Sequence, residues 1–233
     1  AKRARRQGRS EHPEHGVLDA STLRPLAARA GLTRRLTRVL MADAVRRCAW
    51  WRSGGLELGV TLDLTTTDVL DSRLPYELAR LVSEAGVPPA SIQLELAEDL
   101  LLVDPHRTRR ALSQLRTLGV RLALDHYGRS APSFTRLRTL PVQELKLDRS
   151  FVASAMNSTQ DESVVRATVN LVQSLGIRAA ADGVDSERLL YQVRSYGVQV
   201  VQGAIVGDAM TPAGLAEWLG PRADELDPPC EDG

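Results

Sequence analysis

The feature that most constrains this chain is a set of short apolar runs spaced between helical patterns, nearly all of them ending on a polar or charged residue. The runs are "LGVTLDL" (58–64), "IQLEL" (92–96), "VRLALD" (120–125), "ELKLD" (144–148), "IRAAA" (177–181) and "VQVVQG" (198–203). Helical periodicity occupies 20–30, 33–53, 73–86, 105–118, 161–175, 186–196 and 212–219, with a weaker segment near 133–140. Apolar strands alternating with amphipathic helices predict an α/β fold whose parallel sheet is covered by helices. Such a sheet either stays open and doubly wound or closes into a (β/α)8 barrel. No G-x-G-x-x-G follows any of the runs, which disfavours the dinucleotide-binding version.

The strand ends are Asp63, Glu95, Asp125, Lys146, Asp182 and Gln202. In a barrel, strand C-termini converge on one mouth, where the βα loops build the active site. One carboxylate at a strand end is ordinary as a helix cap or turn residue. Six polar ends on six successive strands point instead to a shared site. A closed barrel wants about eight strands, and the runs supply six. Any others must precede residue 20, where "AKRARRQGRSEHPEHG" has no strand pattern.

Composition limits the alternatives. The formal charge is +1 over 233 residues, which gives no global signal for nucleic acid. Basic residues gather in "AKRARRQGR" and acidic ones in "ADELDPPCEDG", each read as a solvated terminus. Cys48 falls on an apolar helix face and Cys230 in the tail, so two cysteines form no disulfide framework and a cytoplasmic setting is expected. No apolar stretch approaches the roughly 20 residues of a membrane span. The chain reads as soluble, either alone or as part of a larger membrane-attached protein. In helix 33–53, Trp50 and Trp51 face about 100° apart, so one is expected in the core and the other outside it.

Several blocks resemble the EAL family, bacterial phosphodiesterases that hydrolyse cyclic di-GMP. "HPEHGVLDASTLRPLAARAGL" resembles H-P-E-x-G-x-[IV]-x-P-x-x-F-I-P-L-A-E-x-x-G, and "LELAED" resembles L-E-[IL]-T-E-[ST]. "LALDHYGRSAPSFTRLRTLPVQELKLDRSFV" resembles L-A-[IL]-D-D-F-G-T-G-Y-S-S-L through L-P-[VI]-D-x-[LI]-K-I-D-x-S-F-V. "AAADGVDSERLL" and "VQGAIVG" resemble the later A-E-G-V-E and Q-G-[YF]-L blocks. The resemblance covers about His12 to Leu219, so residues 12–220 are expected to form the barrel domain and 221–233 an acidic disordered tail. It implies a TIM-like (β/α) barrel whose mouth binds two Mg²⁺ or Mn²⁺ ions around a scissile phosphate. By the same resemblance Glu95, Asp125, Asp63, Asp182 and His126 stand at metal positions. Lys146 matches the lysine that positions or deprotonates the attacking water, and Glu98 the glutamate that anchors the loop after Asp125. Gln202, Asp148 and Arg9 match ligand-side positions.

The departures bear on activity. Aligned backward from His12 without a gap, Arg5, Arg6 and Gln7 lie under E-A-L. Either the glutamate has become Arg5 or the first strand pair is absent, and the strand count favours absence. "AKRARRQGR" resembles the end of a GGDEF diguanylate cyclase domain, so residues 1–11 read as a basic linker. A barrel incomplete or modified at its first two strands would expose an edge beside the strand ending at Asp63. A second copy, an upstream domain or the N-terminal arm is expected to close it. Asp63 replaces an asparagine, and Asp182 and Asp185 replace glutamates. His126 replaces the second carboxylate of D-D-F-G, a poor ligand for Mg²⁺ but suited to Zn²⁺ or Mn²⁺. Arg129, Ser130, Ala131 and Pro132 replace a glycine-rich loop. The resemblance thus leaves three readings: a degenerate, non-hydrolysing regulatory or protein-interaction module, an active phosphodiesterase, and a non-catalytic cyclic di-GMP receptor. The departures favour the first.

Overall fold

The computed structural model describes residues 3–5, 10–12, 16–18, 20–97, 104–128, 137–208 and 210–219. Its strands are β1 (Arg3–Arg5), β2 (Ser10–His12), β3 (Gly16–Leu18), β4 (Gly59–Leu64), β5 (Ile92–Ala97), β6 (Arg121–Tyr127), β7 (Glu144–Leu147), β8 (Arg178–Ala181) and β9 (Val200–Val201). Its helices are α1 (Ala20–Arg29), α2 (Thr33–Ser53), α3 (Thr66–Val69), α4 (Leu74–Glu84), α5 (Pro105–Thr117), α6 (Arg149–Ser154), α7 (Thr159–Ser174), α8 (Glu187–Ser195) and α9 (Pro212–Leu219). Seven strands form one parallel sheet in the order β1-β4-β5-β6-β7-β8-β9. The α/β expectation therefore holds, with sequential strands adjacent and helices between them.

The N-terminus departs from expectation. Residues 3–5 pair in parallel with Gly59–Thr61, and Ser10–His12 form an antiparallel hairpin with Gly16–Leu18. "Arg-Ala-Arg" has no intrinsic strand signal, but β4 would otherwise present a row of unpaired backbone groups. Tertiary pairing overrides local propensity at such an edge. One strand ahead of β4 is thus present, in short form, and Arg5 lies in it. Of the three ways to cover the edge of β4, the N-terminal arm is the one seen. Arg9, residues 129–136 and residues 220–233 lie outside the described residues, as does most of the helical segment expected near 133–140.

The apolar runs conceal a strict alternation. Val60, Leu62, Leu64, Ile92, Leu94, Leu96, Leu122, Leu124, Leu145, Leu147, Ala179 and Ala181 are buried and belong to one continuous hydrophobic core with the helices. Each fully buried leucine contributes about 1.5–3 kcal/mol, so this outer row carries the sheet's stability. The alternate row is Thr61 and Asp63, Gln93 and Glu95, Ala123 and Asp125, Glu144 and Lys146, and Ala180. Alternation across the pleat puts these on the opposite, inner face. β6 contributes only the small Ala123 between β5 and β7. Side chains from those two strands therefore meet across it: Gln93 Nε2 donates to Glu144 Oε1 at 2.8 Å, and Lys146 contacts Glu95. On β4, β5 and β7 the inner face is polar, mostly buried and largely paired.

Short helices at the strand exits were not legible as periodic patterns. α3 starts with a capping box between Thr65 and Asp68. α6 starts at Asp148, whose Oδ1 accepts from Ser150 N at 2.9 Å. In α2, Trp51 is 5% exposed and Trp50 53%, dividing the pair between core and surface as their angular separation requires. Trp218 packs against the core.

Candidate active site

Four strand ends deliver one cluster. Asp63 and Glu95 are register partners on β4 and β5. Asp125 lies one inner-face position beyond Ala123, which is the partner of Glu95. Each of the three carboxylates offers an oxygen within 4.8 Å of the others. Lys146, on β7, contacts Glu95 Oε1, lies 3.9 Å from Asp125 Oδ1 and donates to Gln202 Oε1 at 3.1 Å. Glu95, Asp125 and Lys146 are nearly inaccessible, at 2%, 3% and 3% exposure. A snorkelling surface lysine is therefore excluded.

The donor set fits a hard divalent cation. Three carboxylates carry three formal negative charges against one ammonium, which leaves two to be balanced. Closely spaced oxygen ligands are what Mg²⁺ and Mn²⁺ require. Asp63, Glu95 and Asp125 are the residues that would hold such an ion, and it would supply Lewis-acid polarisation of a phosphoryl oxygen.

Asp182 does not join them. It is half-buried beyond β8, and its Oδ1 accepts from Gly183 N at 2.9 Å. That bond holds the turn at Gly183, whose φ is +73°. Asp148 serves as the cap of α6, taking Ser150 N and Oγ on one oxygen. Asp185, the other shortened carboxylate, pairs with Arg149 at 3.4 Å and accepts from Ala204 N at 2.9 Å. Glu98 lies outside the described residues.

His126 sits at a local distortion. The β6–β7 register shifts between Leu124 and Tyr127, and His126 has φ +59°. Bulges of this kind re-aim side chains beside functional sites. The His126 N–H donates to Asp125 Oδ1 at 2.8 Å, Nδ1 lies 3.2 Å from Asp148 Oδ2, and Nε2 lies 3.6 Å from Asp125 Oδ2. The ring is wedged between the two aspartates, beside the three-carboxylate cluster but not part of it.

Two residues near the mouth escaped the sequence reading. Arg24 of α1 donates to the backbone carbonyl of Asp63 at 2.8 Å and fixes the exit of β4. Arg149 covers Gly183, where any Cβ would overlap its side chain. Neither lies in a polar pattern that spacing alone could single out.

Comparison with known proteins decides the family. The model of the EAL domain matches residues 7–209. The chain belongs to the EAL family. It is 28% identical over 211 residues to the cyclic di-GMP phosphodiesterase PA2567 of Pseudomonas aeruginosa, covering 91% of this chain and 36% of that protein. It is 31% identical to an uncharacterized protein of Azorhizobium caulinodans, covering 84% of this chain and 27% of that one. Among solved structures, a cyclic di-GMP complex of the PaMucR phosphodiesterase superposes with a TM-score of 0.83 at 27% identity, covering 89% of this chain and 84% of that one. The EAL domain of Mycobacterium smegmatis DcpA gives 0.76 at 27% identity, covering 82% and 86%. This EAL chain thus spans about a third of the curated relatives it matches, and 84% and 86% of the two structures. Its seven-stranded parallel sheet shares the α/β barrel-like fold of these neighbours. No described helix is long and apolar enough to cross a membrane.

Proposed function

We propose that this EAL domain works in cyclic di-GMP signalling as a regulatory or protein-interaction module that does not hydrolyse the dinucleotide. The observation that carries this reading is His126. Two-metal hydrolysis needs oxygen ligands held in near-octahedral geometry around both ions. At the second carboxylate position of the Asp125 pair stands an imidazole, turned between Asp125 and Asp148. Arg5, aligned with the family's first glutamate, adds a second departure, although Asp63 restores one carboxylate on the neighbouring strand. The partner is then a second copy or another protein domain, and the location cytoplasmic.

An active phosphodiesterase is the second reading, supported by Glu95, Lys146 and Gln202. Glu95 and Lys146 are buried, and Lys146 connects them to the half-buried Gln202. The purified chain incubated with cyclic di-GMP and Mn²⁺ or Mg²⁺ separates the two. The regulatory reading expects no linear dinucleotide above the enzyme-free control, with Glu95→Ala indistinguishable from the parent. Turnover that Glu95→Ala abolishes overturns it. Dinucleotide binding without turnover selects the receptor reading.

A further inference from the structure

α2 has two faces. Thr37, Met41, Ala44, Cys48 and Trp51 are buried. At about 100° per residue, the opposite direction is taken by Leu32, which caps the helix, then Val39, Arg46 and Trp50, with Asp43 at the margin. Leu32, Val39 and Trp50 are 48%, 60% and 53% exposed. Leu32, Val39 and Arg46 recur at heptad spacing, and so do Asp43 and Trp50. That spacing lets a helix present a continuous seam to another helix. Large apolar side chains aligned on the side of α2 away from the core contribute nothing to the fold itself, and such a patch marks a contact surface.

The seam is complementary to itself. Laid antiparallel on a second α2, with a two-fold axis at the level of Ala44 and Val45, it sets Val39 against the partner's Trp50. The same axis sets Asp43 against the partner's Arg46, and symmetry repeats both contacts. A parallel pair in register would instead face Arg46 with arginine and Asp43 with aspartate. Most other charges of α2 are answered within the chain. Arg34 and Arg38 lie 3.6 and 3.8 Å from Asp71, and Arg38 pairs with Glu77 at 2.7 Å. Asp43 is shared by Arg47 at 2.8 Å and Arg46 at 3.6 Å. The Arg46 side chain is 76% exposed. An exposed pair of this kind is weak, so Arg46 loses little by turning to the neighbouring copy.

We infer that the outward face of α2 is a docking surface for a second copy of this chain. The two helices pair antiparallel, with Val39 on the partner's Trp50 and Asp43 on the partner's Arg46. Tryptophan is the residue type that most often anchors such contacts, and the crossed charges fix the register. α2 has 21 residues, which span about 31 Å. A contact confined to one helix is small for a specific interface, so the dimer is weak, with a dissociation constant on the order of 10–100 µM. The inference deepens the protein-interaction reading and rests on it, naming the surface and the partner. It uses no residue of the mouth.

The test is sedimentation velocity of the chain across concentrations that bracket the expected constant, with circular dichroism to check that every variant is folded. The parent should pass from monomer to dimer as concentration rises. Trp50→Ser should weaken the dimer by about tenfold or more. Asp43→Arg alone and Arg46→Asp alone each set like charges opposite one another and should weaken it by about tenfold. The double variant Asp43→Arg with Arg46→Asp restores opposite charges and should return to within about threefold of the parent. Loss of a merely structural role would not be rescued in this way. A parent that stays monomeric throughout overturns the inference. So does a dimer indifferent to Trp50→Ser and to both single charge changes, or a double variant no better than the single ones. A monomer that does not hydrolyse cyclic di-GMP rejects this surface and leaves the non-hydrolysing reading standing. Turnover abolished by Glu95→Ala in a chain that dimerises through α2 does the reverse.

Discussion

Lys146 Nζ stands 3.9 Å from Asp125 Oδ1, and both side chains are 4% exposed. With its contact to Glu95, the ammonium is the counter-charge that lets two carboxylates remain buried on the inner face. Removing one partner of a buried ion pair costs about 3–5 kcal/mol, because the other charge is left uncompensated. Lys146→Met should therefore lose thermal stability in chelator. A divalent cation can take over the ammonium's role, and ligand that binds only the folded state stabilises by mass action. Adding Mn²⁺ should raise the melting temperature of Lys146→Met more than that of the parent. Equal responses in differential scanning fluorimetry would show that the lysine and the cation do not share these carboxylates.

The opposite end of the same inner face supplies a control. Glu144 is 1% exposed, accepts from Gln93 Nε2 at 2.8 Å and pairs with Arg178 at 3.0 Å. It lies two residues before Lys146 on β7, a layer away from the mouth. Glu144→Ala leaves a buried amide and a guanidinium without their acceptor, and is expected to cost about 3–5 kcal/mol in urea unfolding. Cation affinity of the folded fraction should not change. A loss of affinity matching that of Glu95→Ala would mean the two layers act as one site.

Gly203 lies where the chain leaving β9 passes close against Val184. Its φ is +156°, and a Cβ there would run into the backbone carbonyl of Val184. The obstruction is main chain, so no side-chain rotation relieves it. Gly203→Ala should destabilise by at least about 2 kcal/mol. It should also displace Gln202 from Lys146, since the two chain segments are joined by the bonds of Val184 N to Gln202 O at 3.0 Å and Ile205 N to Val184 O at 3.3 Å. A chemically induced unfolding curve superposable on that of the parent would contradict this.

The strand ends that converge were legible because polar residues at the close of apolar runs have few packing explanations. Asp63, Glu95, Asp125, Lys146 and Gln202 were all found that way. Asp182 ends the next run in the same way, yet it lies outside the three-carboxylate group and accepts from Gly183 N. β1 was illegible for a different reason. Nothing in Arg3–Arg5 favours a strand, and its pairing comes from the edge of β4, 54 or more residues away. The polar inner layer was hidden because "IQLEL" and "ELKL" can be read as apolar runs interrupted by charge. The contacts of Gln93 with Glu144 and of Glu95 with Lys146, across β6, show that the interruptions face one another.

Acid stability should depend on Asp71, which lies between α3 and α4 and faces Arg34 and Arg38 of α2 at 3.6 and 3.8 Å. Burial works against its charged form. Hydrogen bonds from Arg73, with the charges of Arg73 and Arg34, outweigh that and hold the carboxyl below its ordinary value of 3.8. A group whose pKa is lower folded than unfolded binds fewer protons in the native state. Its contribution is therefore fully present above the unfolded pKa and is lost as pH falls through the folded one. Asp71→Asn has no proton to bind and should lack this component. The stability difference between the parent and Asp71→Asn, from urea unfolding, should be constant from about pH 7 to 5 and shrink below about pH 4. A difference that widens on acidification would mean that burial dominates and that the carboxyl is raised rather than lowered.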